Sequence, residues 1–176
     1  LKIDVLMGTS LDDLEGQCRD RMATGVDGLF TFEGQHDPFL PLAIAARTVD
    51  ADLMTNVAIA FPRSPMITAK IAWELAEASN GRFTLGLGRG IAPLFDAYGI
   101  PRITTAQLED IVDILRRLWQ GEMILGHDGP AGSYSVLHQD TRFEEEIPVI
   151  LCALAEATLE LLDHDANLKH ASEPVV

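Results

Sequence analysis

The chain is 176 residues long, 47% hydrophobic and 23% charged, a composition that supports a single domain with a real core. Thirteen Lys and Arg stand against 27 Asp and Glu, a formal net charge of −14. That field repels phosphate backbones and anionic lipid, which argues against nucleic-acid and membrane-surface roles.

In chain order, Lys2–Met7 reads as a strand, and Ser10 is the expected N-cap of a helix with Leu11, Leu14, Cys18 and Met22 at helical spacing. Gly25 ends that helix, and Gly28–Glu33 is a second apolar strand with an acid at its carboxyl end. An alanine-rich helix over 42–49 leads to a third strand over Thr55–Ala60. Pro65 opens a helix that runs to Ser79, and the Asn80-Gly81 turn leads to a fourth strand, Phe83–Leu87, which continues into Gly88-Arg89-Gly90. Residues 104–120 form an amphipathic helix with Leu108, Ile111, Val112, Leu115 and Leu118 on its apolar face. The stretch 121–147, rich in glycine and ending in Glu144-Glu145-Glu146, reads as an inserted loop or hairpin. A fifth strand, Pro148–Cys152, precedes a helical stretch over 154–162.

Strand starts near 3, 28, 55 and 83 recur at the interval of consecutive strand-helix units. Right-handed crossovers then predict a parallel α/β sheet, either open or curling toward a (β/α)8 barrel. No internal sequence repeat accompanies this rhythm, and one domain over 1–176 is expected.

Ligands of such sheets bind where the strands exit, so chemistry is sought there. Glu33-Gly34-Gln35-His36-Asp37-Pro38 places an imidazole between two carboxylates. His36 there is either a proton donor oriented by a neighbouring acid or a solvated loop residue beside an Asp37 that caps the next helix. At Phe61-Pro62-Arg63-Ser64-Pro65 the prolines turn the chain, and Arg63 is a candidate anion receptor. The glycines of Gly86-Leu87-Gly88-Arg89-Gly90 serve either tight packing or close approach to a ligand. They do not form a dinucleotide fingerprint, because GxGxxG counted from Gly86 reaches Ile91 and from Gly88 reaches Pro93.

Other chemistries find little support. Cys18 and Cys152 make no disulfide framework and suggest reduced thiols in a cytoplasmic protein. His127, His138, His164 and His170 lack metal-ligand spacing, and no GxSxG elbow occurs. Trp73 and Trp119 read as core. No run of about 18 uncharged apolar residues could span a bilayer, and residues 1–10 do not read as a signal peptide.

The strand-exit motifs, with Ser79-Asn80-Gly81-Arg82-Phe83-Thr84-Leu85-Gly86-Leu87-Gly88-Arg89-Gly90, closely resemble the bacterial luciferase-like monooxygenase superfamily, especially its F420-dependent branch. The resemblance covers about residues 1 to 155. It implies a TIM-type (β/α)8 barrel on which F420, or alternatively FMN, lies across the strand exits and exchanges hydride with a small organic substrate. His36 matches the active-site histidine. Glu33, Asn56, Val57 and Ala58 match positions around the cofactor, and Asn56-Val57 corresponds to a bulge that is often a non-prolyl cis peptide. Gly88, Arg89 and Gly90 match the loop near the cofactor's polar tail. Ile91-Ala92 stands where some relatives carry a glutamate proton donor. The family pattern continues beyond Leu154 through three more units, whereas 163–176 is unlike it. A partial barrel of about five parallel strands is therefore expected, with a homo-oligomeric partner covering its open edge, or else a half-barrel that binds a ligand without turnover.

Overall fold

The computed structural model describes residues 1–8, 10–140 and 146–152 together with the backbone of 168–170. Its main sheet runs in the order β1 (Asp4–Leu6), β2 (Gly28–Thr31), β3 (Asp52–Thr55), β5 (Phe83–Gly88), β8 (Val149–Leu151) and β9 (Leu168–His170). A two-residue strand, β4 (Ala58–Ile59), pairs with the far end of β5. All pairings in this sheet are parallel. Helices α1 (Leu14–Ala23), α2 (Leu40–Thr48) and α3 (Pro65–Ala78) make the successive crossovers, while α4 (Ala92–Tyr98) and α5 (Thr105–Trp119) follow β5.

The strand order advances without reversing, which decides between the two sheet types. A doubly wound sheet reverses direction at a switch point, whereas steady advance with right-handed crossovers puts every helix on one face and curls the sheet. The fold is therefore an arc of a TIM-type barrel. Residue exposure follows this geometry. Val5, Leu29, Leu53 and Phe83 stand side by side in register, and the last three are at most 1% exposed beneath the helices. Leu6, Phe30, Met54 and Thr84 form the next row on the concave face, where Leu6 is 41% exposed and the others are half-buried.

The helix side holds the main core. Leu29, Leu53, Leu85 and Leu87 of the strands belong with Leu42, Leu108, Ile111 and Leu115 of the helices, and each such burial is worth about 1.5–3 kcal/mol. Helix α5 starts as its sequence suggests. Thr104 Oγ1 accepts from the Gln107 amide, and the Gln107 side chain accepts from the Thr104 amide, closing a capping box. The predicted apolar face of this helix, Leu108, Ile111, Val112, Leu115 and Leu118, is at most 3% exposed. Trp119 is buried and donates its indole N–H to the Ala69 carbonyl at 3.1 Å; Trp73 is only half-buried.

Several local expectations are corrected. Helix α1 begins at Leu14, and Ser10 does not cap it: its hydroxyl accepts from the Asp12 amide in a preceding turn, while Asp13 takes the N-cap place with φ 51°. The expected third strand, Thr55–Ala60, is displaced: β3 runs Asp52–Thr55 and, after a cis Asn56-Val57 peptide, β4 covers only Ala58–Ile59. The short helix α4 has no counterpart in the sequence reading. The stretch 121–147, by contrast, does contain a hairpin: β6 (Ile124–Gly129) and β7 (Gly132–Leu137) pair antiparallel and are pinned to α5, because Asp110 Oδ2 accepts from the Ala131 amide at 2.8 Å and lies 3.1 Å from His127 Nε2. From the expected atypical tail, residues 168–170 extend the sheet beside β8. The helical stretch read over 154–162, His164, and the rest of the tail lie outside the described residues.

Strand β5 lies unusually close to β3 at Gly86. Thr55 Oγ1 donates to the Gly86 carbonyl at 2.8 Å and accepts from its amide at 2.9 Å. A Cβ on Gly86 would overlap the Thr55 carbonyl oxygen, a backbone atom that no side-chain rotation can move. Gly86→Ala should therefore cost about 3 kcal/mol or more, read as the shift in chemical-denaturation midpoint at unchanged slope.

Candidate functional site

The strand exits are organised by one carboxylate. Glu33 follows β2 and is 8% exposed. Its Oε2 accepts from the Ile59 amide of β4 at 3.0 Å and from Arg63 Nη1 at 2.9 Å, and its Oε1 accepts from Arg63 Nη2 at 3.1 Å and the Tyr98 hydroxyl at 3.3 Å. The same Arg63 Nη2 reaches Asp37 Oδ2 at 2.8 Å, and the guanidinium lies 4.9 Å from the centroid of the Phe39 ring. Asp37 Oδ1 accepts from the Phe39 and Leu40 amides at the start of α2. Arg63 is thus committed to two carboxylates, and the reading of it as an anion receptor is corrected. Asp37 caps α2 and does not orient His36.

Parallel topology explains why these residues meet. Positions 33 and 63 follow neighbouring strands of one sheet, so a separation of 30 in sequence becomes a bidentate contact. The loop between them is held further by Thr31 Oγ1 donating to the Pro38 carbonyl at 2.6 Å, and by the Glu33 amide donating to the Val57 carbonyl at 3.0 Å. Burial pushes the Asp37 carboxyl up, but the Arg63 hydrogen bond and the Phe39 and Leu40 amides outweigh it, and the net shift is downward. Burial, then the Glu33 charge and hydrogen bond, push the Tyr98 phenol up.

The predicted site residues fall into distinct environments. His36 is exposed, and no hydrogen bond to a described residue engages its ring. Asn56 is exposed on the bulge, Val57 is half-buried, and Ala58 is fully buried in the main core. Gly88 faces Val57 and Cys152: an added Cβ would lie 2.7 Å from Val57 Cγ2 and 3.5 Å from Cys152 Cβ. Gly90, at φ 81°, packs against Ile59. The glycine run therefore serves packing against the bulged strand at each of its three positions. Arg89 is half-buried; its Nη1 lies 3.4 Å from Thr105 Oγ1, with no carboxylate partner among the described residues. Glu33 is brought into the same site, its oxygens already engaged by protein donors. Tyr98 and the Arg63 pairing were missed. The acid ending one strand and the arginine following the next were the available signal.

These features define a class: an arc of a TIM-type barrel with its candidate site at the strand exits. The chain belongs to the luciferase-like monooxygenase family, whose model matches residues 6–166. It is 35% identical over 162 residues to uncharacterized proteins of Mycobacterium tuberculosis (strain ATCC 25618 / H37Rv) and Mycobacterium bovis (strain ATCC BAA-935 / AF2122/97). That match covers 86% of this chain and 47% of each relative, so the chain spans about half the length of the curated relatives it matches.

Solved structures share the fold. The coenzyme F420 dependent tetrahydromethanopterin reductase of Methanopyrus kandleri superposes with TM-score 0.80 at 17% identity, covering 97% of this chain and 55% of that one. For the monooxygenase RslO1 from Streptomyces bottropensis the values are 0.75, 21%, 92% and 56%. For the oxygenating constituent of 3,6-diketocamphane monooxygenase from Pseudomonas putida, solved with FMN, they are 0.68, 18%, 86% and 51%.

Removing Arg63 would leave the buried Glu33 carboxyl group without its cation. Arg63→Met should destabilise by about 3–5 kcal/mol, measured by chemical denaturation at neutral pH. Asp37 supplies a pH signature. Its carboxyl is lowered in the folded state, so its contribution is complete above the ordinary carboxylate range and is lost as pH falls through the folded value. The melting temperature of Asp37→Asn should lie below wild type at neutral pH, and the gap should close as pH falls through that range.

Proposed function

We propose that the chain carries the cofactor-facing part of an oxidoreductase that moves hydride between F420, or alternatively FMN, and a small organic substrate. The observation that carries this reading is the division of labour at the strand exits: Arg63 is taken up by Glu33 and Asp37, while His36 and Arg89 remain available to a ligand. Family membership and the fold shared with F420-dependent and FMN-containing proteins support it.

The residues present suit such a group. A flat ring system needs an apolar floor without projecting side chains, and Val57 beside Gly88 supplies one; a Cβ at Gly88 would crowd it. A phosphate or carboxylate tail needs a cation, and Arg89 is half-buried and free of carboxylates among the described residues. When bound, the deazaflavin or flavin supplies the hydride chemistry. The protein's own part is to orient and to move a proton. Asn56, exposed on the bulge, offers an amide to a ring edge, and His36 offers an imidazole that holds or delivers a proton at a substrate oxygen. Glu33 acts through Arg63 and the Ile59 amide to hold the His36 loop beside β4.

Titrating reduced F420 and reduced FMN separately into the protein should give saturable spectral perturbation for one of them, and no binding by either at high micromolar concentration would overturn the reading. Arg89→Ala should weaken that binding about tenfold or more. His36→Ala should leave binding intact and lower turnover by about 100-fold or more.

A second reading is a half-barrel that self-associates. It is favoured by exposed apolar side chains at the ends of the first two strands, Leu6 at 41% and Phe32 at 45% exposure. Sedimentation of a monomer at high micromolar protein would remove it.

A further inference from the structure

Helix α4 is joined to the molecule differently from the other helices. It lies between Gly90 at φ 81° and Gly99 at φ 64°, backbone conformations that L side chains rarely adopt. Its apolar contacts belong to a small cluster of its own, in which Phe95 packs with Ile59 and Ile103, flanked by Leu94, Ile100 and Phe61, the last of which also packs against the main core. Most of its residues, including Tyr98 at 37%, are exposed. A short helix with little buried area and glycines at both ends opens at lower cost than the elements of the core. Among the described residues, its one side-chain hydrogen bond to the strand exits is the Tyr98 hydroxyl donating to Glu33 Oε1 at 3.3 Å.

We propose that α4 is a lid hinged at Gly90 and Gly99, and that Tyr98 is a positioning residue whose hydroxyl latches it shut on Glu33. The placement of a ligand beneath the lid rests on the oxidoreductase reading above; the hinge and the latch do not. Glu33 is suited to be the catch. Arg63 and the Ile59 amide fix it from the sheet side, so its position is set whether or not α4 is docked. The Tyr98 phenol, pushed up by burial and by the Glu33 charge, stays protonated as a donor through neutral pH. Opening α4 would uncover Ile59 and Phe61, which lie beside Gly90 and between β4 and Arg63. Closure would therefore shield the end of the site nearest the Glu33–Arg63 pair.

Hydrogen exchange on the full chain tests this. The hydrogen-bonded amides of Leu94, Phe95, Gly99 and Ile100 report on α4, and that of Leu108 at the start of α5 is the internal reference. Without any ligand, the α4 amides should exchange faster than the α5 amides. Tyr98→Phe should speed them by a further five- to tenfold while leaving α5 exchange and the melting temperature unchanged. Exchange of α4 together with α5, or no response to Tyr98→Phe, would overturn the latch. FMN or F420 that binds by the spectral assay should slow α4 exchange in the wild type; binding without slowing would overturn the lid. If neither cofactor binds, the oxidoreductase reading fails, and the ligand-free comparison still decides the latch.

Discussion

A carboxylate taken out of water must be answered by donors, and in this molecule the donors that answer Glu33 come from three other places in the chain. The Ile59 amide belongs to β4, the guanidinium to the turn before α3, and the phenol to α4. Neutralising that buried charge therefore fixes how the exits of neighbouring strands sit relative to one another. Removal of the cation would cost far more than the pair contributes by being present, because the isolated charge could not be rehydrated without opening the loop. The pair is best understood as a constraint on geometry, and its effect on net stability is secondary.

A second constraint acts on the sheet itself. The bulge at Asn56-Val57 interrupts the ladder between β3 and β4, and the opposing strand closes the gap by having no side chains at Gly86 and Gly88. Thr55 takes over the lost backbone pairing through its hydroxyl, which both donates to and accepts from Gly86. The glycine run and the bulge are thus one device. Its outcome is a smooth patch on the concave face beside Val57, at the ligand-binding end of a barrel fold.

The regular part of this architecture was readable from residue pattern. The α5 apolar face follows its 3.6-residue period, and the strand-helix interval announces parallel pairing. The failures have a common physical origin. Ser10 is a good cap by type, but its hydroxyl accepts from the Asp12 amide in a turn that precedes the helix, which starts only after Asp13. Arg63 looked free because its partners are distant in sequence and meet it only through strand adjacency. Helix α4 was missed because it is short and mostly exposed, with neither a long apolar period nor a side-chain N-cap to mark it. The pattern of the glycine run is compatible with either packing or ligand approach, and only the contacts of each absent Cβ show that packing against residues 55, 57 and 59 occupies all three positions.

Charge bookkeeping at the exits has one further consequence. On a chain with net charge −14, long-range attraction does not gather anions, so any anionic ligand would have to be recognised by local geometry. Arg63 cannot supply it, being shared between Glu33 and Asp37. Arg89 differs in its setting: it follows the glycine run, is half-buried, and touches only the neutral Thr105 hydroxyl among its described side-chain contacts. Partial burial protects a charge-assisted hydrogen bond from screening by salt, which an exposed lysine could not achieve. Two arginines that follow neighbouring strands thus sit in opposite settings: Arg63 is held between two carboxylates, whereas Arg89 meets the Thr105 hydroxyl and no carboxylate among the described residues.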